Sequence, residues 1–236
     1  MTDLRFYFDG TNGTSVSGEV LLDVMISKEE KPKDIGQLKF KYSDSFFLHS
    51  ACSYDHELAI MSLGLTMSAF TYKADGDKHA RKALNSIGCD DRTIESFRFD
   101  DKQSCADSCG YIIAAKKLPD DTFLIPVVIR SHCYGGEWVS NAHAVEEAYP
   151  DHAVGFKAAA DGVYDAVTDY LDRRGFDLGR VKLWLCGYSR GGAVTNLLGA
   201  RFTFESGIGK DNIFAYSFAT PVTVFDRACL FTDNIF

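Results

Sequence analysis

The chain has 236 residues, of which 46% are hydrophobic, and it carries a formal net charge of −8 at pH 7. This length and composition suit one α/β domain with a buried core, and we expect residues 1–236 to form a single domain. The acidic balance, which comes without any basic block, excludes nucleic acid and anionic membrane surfaces as favoured partners.

No apolar run reaches membrane-spanning length, and residues 1–10 lack the apolar core of a signal peptide. We therefore expect a cytoplasmic protein without stable membrane insertion. Seven cysteines without a scaffold-like spacing indicate thiols in a reducing compartment. Cys105 and Cys109 lack the spacing of a redox motif, so we expect plain thiols, no metal ion and no cofactor.

The N-terminal part of the chain predicts strands rather than helices. Residues 1–49 hold short alternating segments at residues 4–8 and 19–25, which predict hairpin strands at a sheet edge, or an N-terminal extension. The core of the domain is expected over residues 50–236.

Two helices are predicted next. Residues 54–70 have an amphipathic helical pattern, and residues 78–87 predict a short helix that ends at Gly88. His56 and Glu57 lie in the first turn of the longer helix, where such side chains are more often solvated than catalytic.

A pair of β-rich runs follows, at residues 111–115 and 123–129, and predicts an antiparallel hairpin. Pro126 interrupts the second run and indicates a bulge or an edge strand. A polar, glycine-containing loop then covers residues 130–141. Ligand sites in α/β sheets gather at such strand ends.

The last third of the chain alternates helix and strand. Apolar residues at a period of 3.6 predict a helix over residues 155–175, and an apolar run predicts a strand over residues 181–186. A helix over residues 191–204 and a strand over residues 213–219 complete the pattern. This alternation predicts a mainly parallel sheet, with strand 181–186 at its centre and helices on its faces.

The turn between strand 181–186 and the next helix reads Gly187-Tyr188-Ser189-Arg190-Gly191. A serine at the apex of a strained strand-to-helix turn needs small residues two positions to either side, and Gly187 and Gly191 meet that need. The helix start also directs its N–H groups toward an anion that forms at Ser189. The alternative is a glycine-rich turn that happens to contain serine, but the strand, turn and helix context favours a nucleophile elbow.

With these segments in view, the chain from about Asp44 to Phe236 resembles the class three, fungal-lipase-like α/β-hydrolases. The resemblance rests on the strand before the 130–141 loop, on Glu137-Trp138 within that loop, on the elbow and on Phe218-Ala-Thr-Pro221. It implies a mainly parallel α/β-hydrolase sheet with helices on both faces, and activity as an esterase or lipase of lipid metabolism.

The resemblance also implies roles for individual residues. Ser189 is expected to be the acyl nucleophile, and the backbone N–H of Arg190 one donor of the oxyanion hole. Ser131 or His132 would supply the second donor, although the family has glycine first at that point.

The histidines conflict with this family pattern, which places the acid and then the histidine after the nucleophile. All six precede Ser189, at positions 49, 56, 79, 132, 143 and 152, and Asp226 and Asp233 are the carboxylates that follow Pro221. We therefore expect a fold that lacks its last strands, and weak catalysis by this chain alone.

Three interpretations stay open. The leading one is a serine hydrolase acting on an ester or lipid substrate, and the second is a non-catalytic domain of the same fold that binds a lipid or a protein partner. A third uses His132 or His143 as the base of a rearranged triad. The oligomeric state is open in each.

Overall fold

The computed structural model describes residues 15–26, 35–70, 75–99, 108–130, 154–221, 223 and 233–236. In these ranges the principal element is a mixed sheet of six strands. They are β3 (Glu95–Phe97), β4 (Tyr111–Ile113), β5 (Lys116–Lys117), β6 (Phe123–Ile129), β7 (Val181–Tyr188) and β8 (Ile213–Phe218).

The three long strands β6, β7 and β8 are parallel, and β7 lies between the other two. Seven of the eight β7 residues are buried, because helices cover both faces of the sheet there. The predicted α/β fold, with this strand at its centre, is confirmed. Residues 233–236 run beside β8 in the same direction, through a bridge from Ile235 to Ala215.

The predicted hairpin is also confirmed, since β4 and β5 both pair antiparallel with β6. The expectation that Pro126 marks a bulge or an edge is wrong, because β6 is an interior strand that pairs with β7 on its other side. Pro126 accepts a hydrogen bond from the Ala114 N–H (3.1 Å) in the gap between β4 and β5. The missing N–H therefore falls where the antiparallel ladder is interrupted, and Thr93 Oγ1 bonds Ala115 there instead.

Four helices flank the sheet in the described ranges, at the predicted places: α1 (His56–Ala69), α2 (Lys78–Ser86), α3 (Val154–Arg174) and α4 (Arg190–Glu205). Helices α3 and α4 pack on one face, and α1 and α2 on the other. His56 is exposed, as expected of the first turn of α1. Among these helices, none is both long and apolar enough to cross a membrane.

The N-terminal strands differ from the prediction. Strand β1 (Ser17–Met25) pairs antiparallel with β2 (Ile35–Ser43), and the two form a separate two-stranded sheet instead of an edge of the main one. The apolar side of β1, which includes Leu22 and Val24, joins the core formed by α1 and α2. The predicted segment 4–8 lies outside the described residues.

A buried ion pair joins this small sheet to the main one. Lys116 Nζ lies 2.5 Å from Asp44 Oδ1, and the two side chains are 5% and 1% exposed. Asp44 also accepts hydrogen bonds from Tyr42 OH (2.8 Å) and from the Val16 N–H (2.9 Å). Lys116 donates a further bond to the Ile87 carbonyl (2.7 Å). Each charge is thus compensated and hydrogen-bonded, as a buried charge must be.

A second carboxylate, Asp23 on β1, is bound by side chains of β2 and α2. Gln37 Nε2 lies 2.7 Å from Oδ1, and Lys82 Nζ and His79 Nδ1 lie 2.8 and 3.2 Å from Oδ2. Burial alone would raise the pKa of Asp23, but the hydrogen bonds from Lys82, Gln37 and His79 lower it to about 2. The charged form is therefore the one that this contact stabilises.

We expect Lys116→Met to lower the free energy of unfolding by about 3–5 kcal/mol, because it leaves Asp44 buried without a counter-charge. Lys117→Met is the matched control, since Lys117 pairs with a 70% exposed Asp121 and its loss should cost less than about 1 kcal/mol. Urea unfolding measures both. Equal losses in the two variants would contradict the role of the buried pair.

We expect Asp23 to make stability depend on pH. The pKa of an unfolded aspartate is about 3.9, so this contact stabilises the fold fully above pH ~4 and is lost as pH falls toward 2. Asp23→Asn should flatten the plot of unfolding free energy against pH over that window, by on the order of 2 kcal/mol. Glu19→Gln, in an exposed pair with Lys39, should leave most of the slope in place.

Candidate active site

Ser189 occupies the turn between β7 and α4 in a backbone conformation that residues with a side chain rarely adopt. Its φ is 54° and its ψ is −120°. The turn is bonded on both sides: the Ser189 N–H donates to the Phe218 carbonyl of β8 (2.8 Å), and its carbonyl accepts from the Ala193 N–H of α4 (3.0 Å). The surrounding sheet and helix therefore impose this conformation on Ser189.

Glycines let the strand and the helix touch at this turn. A Cβ on Gly187 would overlap the Gly191 carbonyl, and one on Gly191 would lie 2.7 Å from the carbonyl oxygen of Ile129 at the end of β6. A Cβ on Gly192 would lie 2.9 Å from the Phe218 carbonyl oxygen. The first turn of α4 thus rests on backbone atoms of all three parallel strands, where a side chain has no room.

The turn places Ser189 at the carboxyl end of the central strand, where α/β sheets hold their ligands. Its side chain is partly exposed and makes no capping hydrogen bond to α4. The N–H groups of the first turn and the positive end of the α4 dipole lie beside it. A negative charge that develops next to the Ser189 oxygen would therefore be stabilised by the start of α4.

The Arg190 side chain leaves the turn in the direction of α3 and β4. It is 2% exposed, donates from Nη2 to the Ser108 carbonyl (3.2 Å), and lies with Cζ 5.5 Å from the centre of the Phe156 ring on α3. A buried guanidinium next to the proposed nucleophile was not foreseen from the sequence, where the interest in Arg190 was its backbone N–H.

A second buried guanidinium lies at the end of β6. Arg130 is 1% exposed, its Cζ lies 5.9 Å from the centre of the Phe99 ring, and its backbone N–H donates to the Gly110 carbonyl (2.8 Å). Arg130 and Arg190 both contact residues 108–110. Both add positive charge at the carboxyl ends of the parallel strands, where Ser189 lies. In the sequence, the feature that could have indicated this buried arginine is its position directly after the apolar run at residues 123–129.

Several predicted site residues lie outside the described residues. These are Ser131 and His132, the candidates for the second oxyanion donor, and His143, the alternative base; His152 and Asp226 also lie outside the described residues. The expectation that Ser131 or His132 lies beside Ser189 stays a prediction.

Two of the three described histidines, His49 and His79, are bound to carboxylates away from the turn. His79 lies on α2 between Asp23 and Asp75. His49 contacts Asp55 (3.4 Å), and its ring packs against Phe214, four residues or about 13 Å before the Phe218 end of β8. Within the described ranges, none of the three histidines is hydrogen-bonded to Ser189.

Asp233 is paired away from Ser189, and two buried thiols, those of Cys89 and Cys186, are protonated. Asp233 pairs with Lys210 (2.8 Å), which lies just before β8. Lys210 is therefore at the amino ends of the parallel strands, whereas Ser189 is at their carboxyl ends. Burial raises the pKa of the Cys186 thiol, and it raises that of Cys89 to about 12, so both stay protonated. The described part of the chain holds no group of three His, Cys, Asp or Glu side chains that could bind a metal ion.

No protein-family model matches this sequence, and no curated protein matches it. Three solved structures are similar in outline. A fungal lipase bound to an inhibitor shares 18% identity over 77% of this chain and 69% of its own, with a TM-score of 0.49. The extracellular lipase LipA from Serratia marcescens shares 14% identity over 73% and 39%, with a TM-score of 0.47.

A Rhizomucor miehei lipase in complex with its propeptide shares 18% identity over 82% of this chain and 61% of its own, with a TM-score of 0.46. The chain therefore spans 39–69% of the three lipases. At this level of identity and superposition, the likeness does not indicate an activity.

We expect Ser189→Gly to be more stable than Ser189→Ala by roughly 1 kcal/mol, because glycine relieves the strained backbone whereas alanine keeps the Cβ. Both variants lack the hydroxyl, so the comparison isolates the strain. Ser206, at the other end of α4, has a φ of −85° and is the control. There the glycine variant should be the less stable one, and thermal unfolding measures each pair.

Proposed function

We propose that this protein is a serine hydrolase that cleaves carboxylic esters, with Ser189 as the nucleophile. The observation that carries the proposal is the strained conformation of Ser189 at the carboxyl end of the central strand. Strain of this kind persists where the surroundings over-determine it, which is common at active sites. Glycines at positions 187, 191 and 192, where a Cβ would clash, support the same proposal.

In the proposed reaction, Ser189 Oγ attacks the ester carbonyl carbon and gives its proton to a base, while the carbonyl π electrons move to oxygen. The Arg190 N–H, at the start of α4, stabilises the resulting oxyanion. The carbon–oxygen bond to the alcohol then breaks and the alcohol leaves with a proton. Water attacks the acyl-serine in the same way, which releases the acid and restores the hydroxyl.

Two parts of this mechanism rest on segments outside the described residues. Ser131 or His132 is the proposed second oxyanion donor. A histidine of this chain is the proposed base, and this proposal replaces the expectation that the chain alone is a weak catalyst. His132 is the first one to test because its loop follows β6, the strand beside β7. We propose an ester or lipid as the substrate, in line with the resemblance of the elbow and its flanking segments to class three lipases.

A non-catalytic domain that binds a lipid or a protein partner is the second candidate. It is favoured by the placement of His49 and His79, which are bound to carboxylates away from the turn. In that case the glycines would preserve the packing of α4 on the sheet, without any activation of the Ser189 hydroxyl.

An activity-based experiment distinguishes the two candidates. We expect a fluorophosphonate probe to label wild-type protein and the protein to hydrolyse p-nitrophenyl acetate, since a probe of this class reacts rapidly with an activated serine. Ser189→Ala should lose labelling and reduce turnover by orders of magnitude, up to about a millionfold.

Ser206→Ala is the control, because it removes a serine hydroxyl at the far end of the same helix. It should keep both labelling and turnover. Hydrolysis that survives in Ser189→Ala would show that the nucleophile is wrong. Wild-type protein that is neither labelled nor active would support the binding domain.

A further inference from the structure

A cleft of about 190 Å³ opens between α3 and the strands β3 and β4, of which β3 is the edge strand of the sheet. Its walls include Phe97 and Tyr111, whose stacked rings lie 5.3 Å apart, and the apolar side chains of Ala159 and Val163 on α3. Phe97 is 43% exposed, so part of its ring faces the open side of the cleft. The lining is that of a site for an apolar group.

Arg190 connects this cleft to the elbow. Its guanidinium donates to the carbonyl of Ser108, which lines the cleft, and packs against Phe156, one turn before Ala159 on α3. Arg190 is also the residue directly after Ser189. The Arg190 side chain therefore spans the distance from the proposed nucleophile to the wall of the cleft. Both lie at the carboxyl ends of the parallel strands.

Gly162 widens the cleft at the helix side. It lies in the interior of the 21-residue helix α3, where glycine is less stable than alanine. A Cβ at Gly162 would have nothing within 4 Å, so no close packing requires glycine there. Its effect is to leave the space of the cleft open.

The volume limits what the cleft can hold. An apolar protein cavity of about 150 Å³ binds benzene, so a cleft of this size accommodates one ring or a short branched chain, but not an extended fatty acyl chain. We propose that the cleft binds a compact apolar group, the size of a benzene ring, of the ester that Ser189 hydrolyses. This inference rests on the proposed function and adds the class of substrate.

The kinetic test compares esters with and without a ring. Methyl phenylacetate carries the ring on the acyl side and benzyl acetate on the alcohol side, while ethyl acetate lacks it. We expect wild type to prefer one ring-bearing ester over ethyl acetate in kcat/KM, and Gly162→Phe to lower that ratio by about tenfold or more. The ester whose ratio falls identifies the side that enters the cleft.

Thr168→Phe is the control, because Thr168 lies on α3 and does not line the cleft. It adds the same ring to the same helix and should keep the wild-type ratio. Circular dichroism verifies that both variants are folded, and Gly162→Ala should raise the melting temperature.

A binding measurement makes the test independent of catalysis. Benzyl alcohol, titrated into protein labelled at valine methyl groups, should shift the Val163 signals saturably in wild type, in Ser189→Ala and in Thr168→Phe. Gly162→Phe should abolish these shifts.

Loss of the shifts together with the fall in the ester ratio supports the proposal. Labelled, active protein in which Gly162→Phe changes neither readout overturns the cleft assignment and keeps the proposed function. Saturable binding by protein that hydrolyses no ester overturns the proposed function, and with it the assignment of the cleft to an ester, whereas the cleft stays a binding site for apolar molecules.

Discussion

Backbone contact between α4 and the strands beneath it is the constraint on which the site depends. Glycines at positions 187, 191 and 192 bring the helix start against carbonyls of β6, β7 and β8, and each added Cβ would meet atoms closer than 3.0 Å. With the helix so close, the single residue between β7 and α4 has to turn within one peptide unit, which forces a positive φ on Ser189. The partial exposure of the serine at the carboxyl end of β7 follows from that turn.

The rest of the fold resists relaxation of this turn. Apolar layers lie on both faces of β7. The Lys116–Asp44 pair fastens the β1–β2 sheet to β5, because Asp44 begins the 3-10 helix Asp44–Phe47 that follows β2. Removing one partner of such a pair is far more costly than losing an exposed one. The pair therefore holds the β1–β2 sheet in a defined position against the main sheet. A closely packed core that cannot shift can keep Ser189 in its strained conformation.

The sequence was sufficient for elements whose signal is local. The 3.6 period of α3, the apolar run of β7 and the glycines of the turn each lie within a few residues, and each prediction agrees with the structure. Strand β2 was missed although Leu38, Phe40 and Tyr42 alternate with polar residues. The prediction for Pro126 was wrong because the missing N–H lies opposite the gap between β4 and β5, where no ladder hydrogen bond needs it. Burial of Arg130 and the cleft beside α3 depend on segments distant in sequence, which no local pattern encodes.

Arg190 joins the turn that carries Ser189 to the cleft beside α3. Its backbone N–H opens α4 beside Ser189, whereas its side chain is buried between Ser108 and Phe156. A lysine would supply the same charge, but it lacks the planar group that packs on a ring while donating to a carbonyl. The guanidinium fixes the wall of the cleft relative to the helix start. An apolar group in the cleft and a carbonyl at Ser189 would then be positioned by the same residue, so that recognition and reaction share one rigid frame.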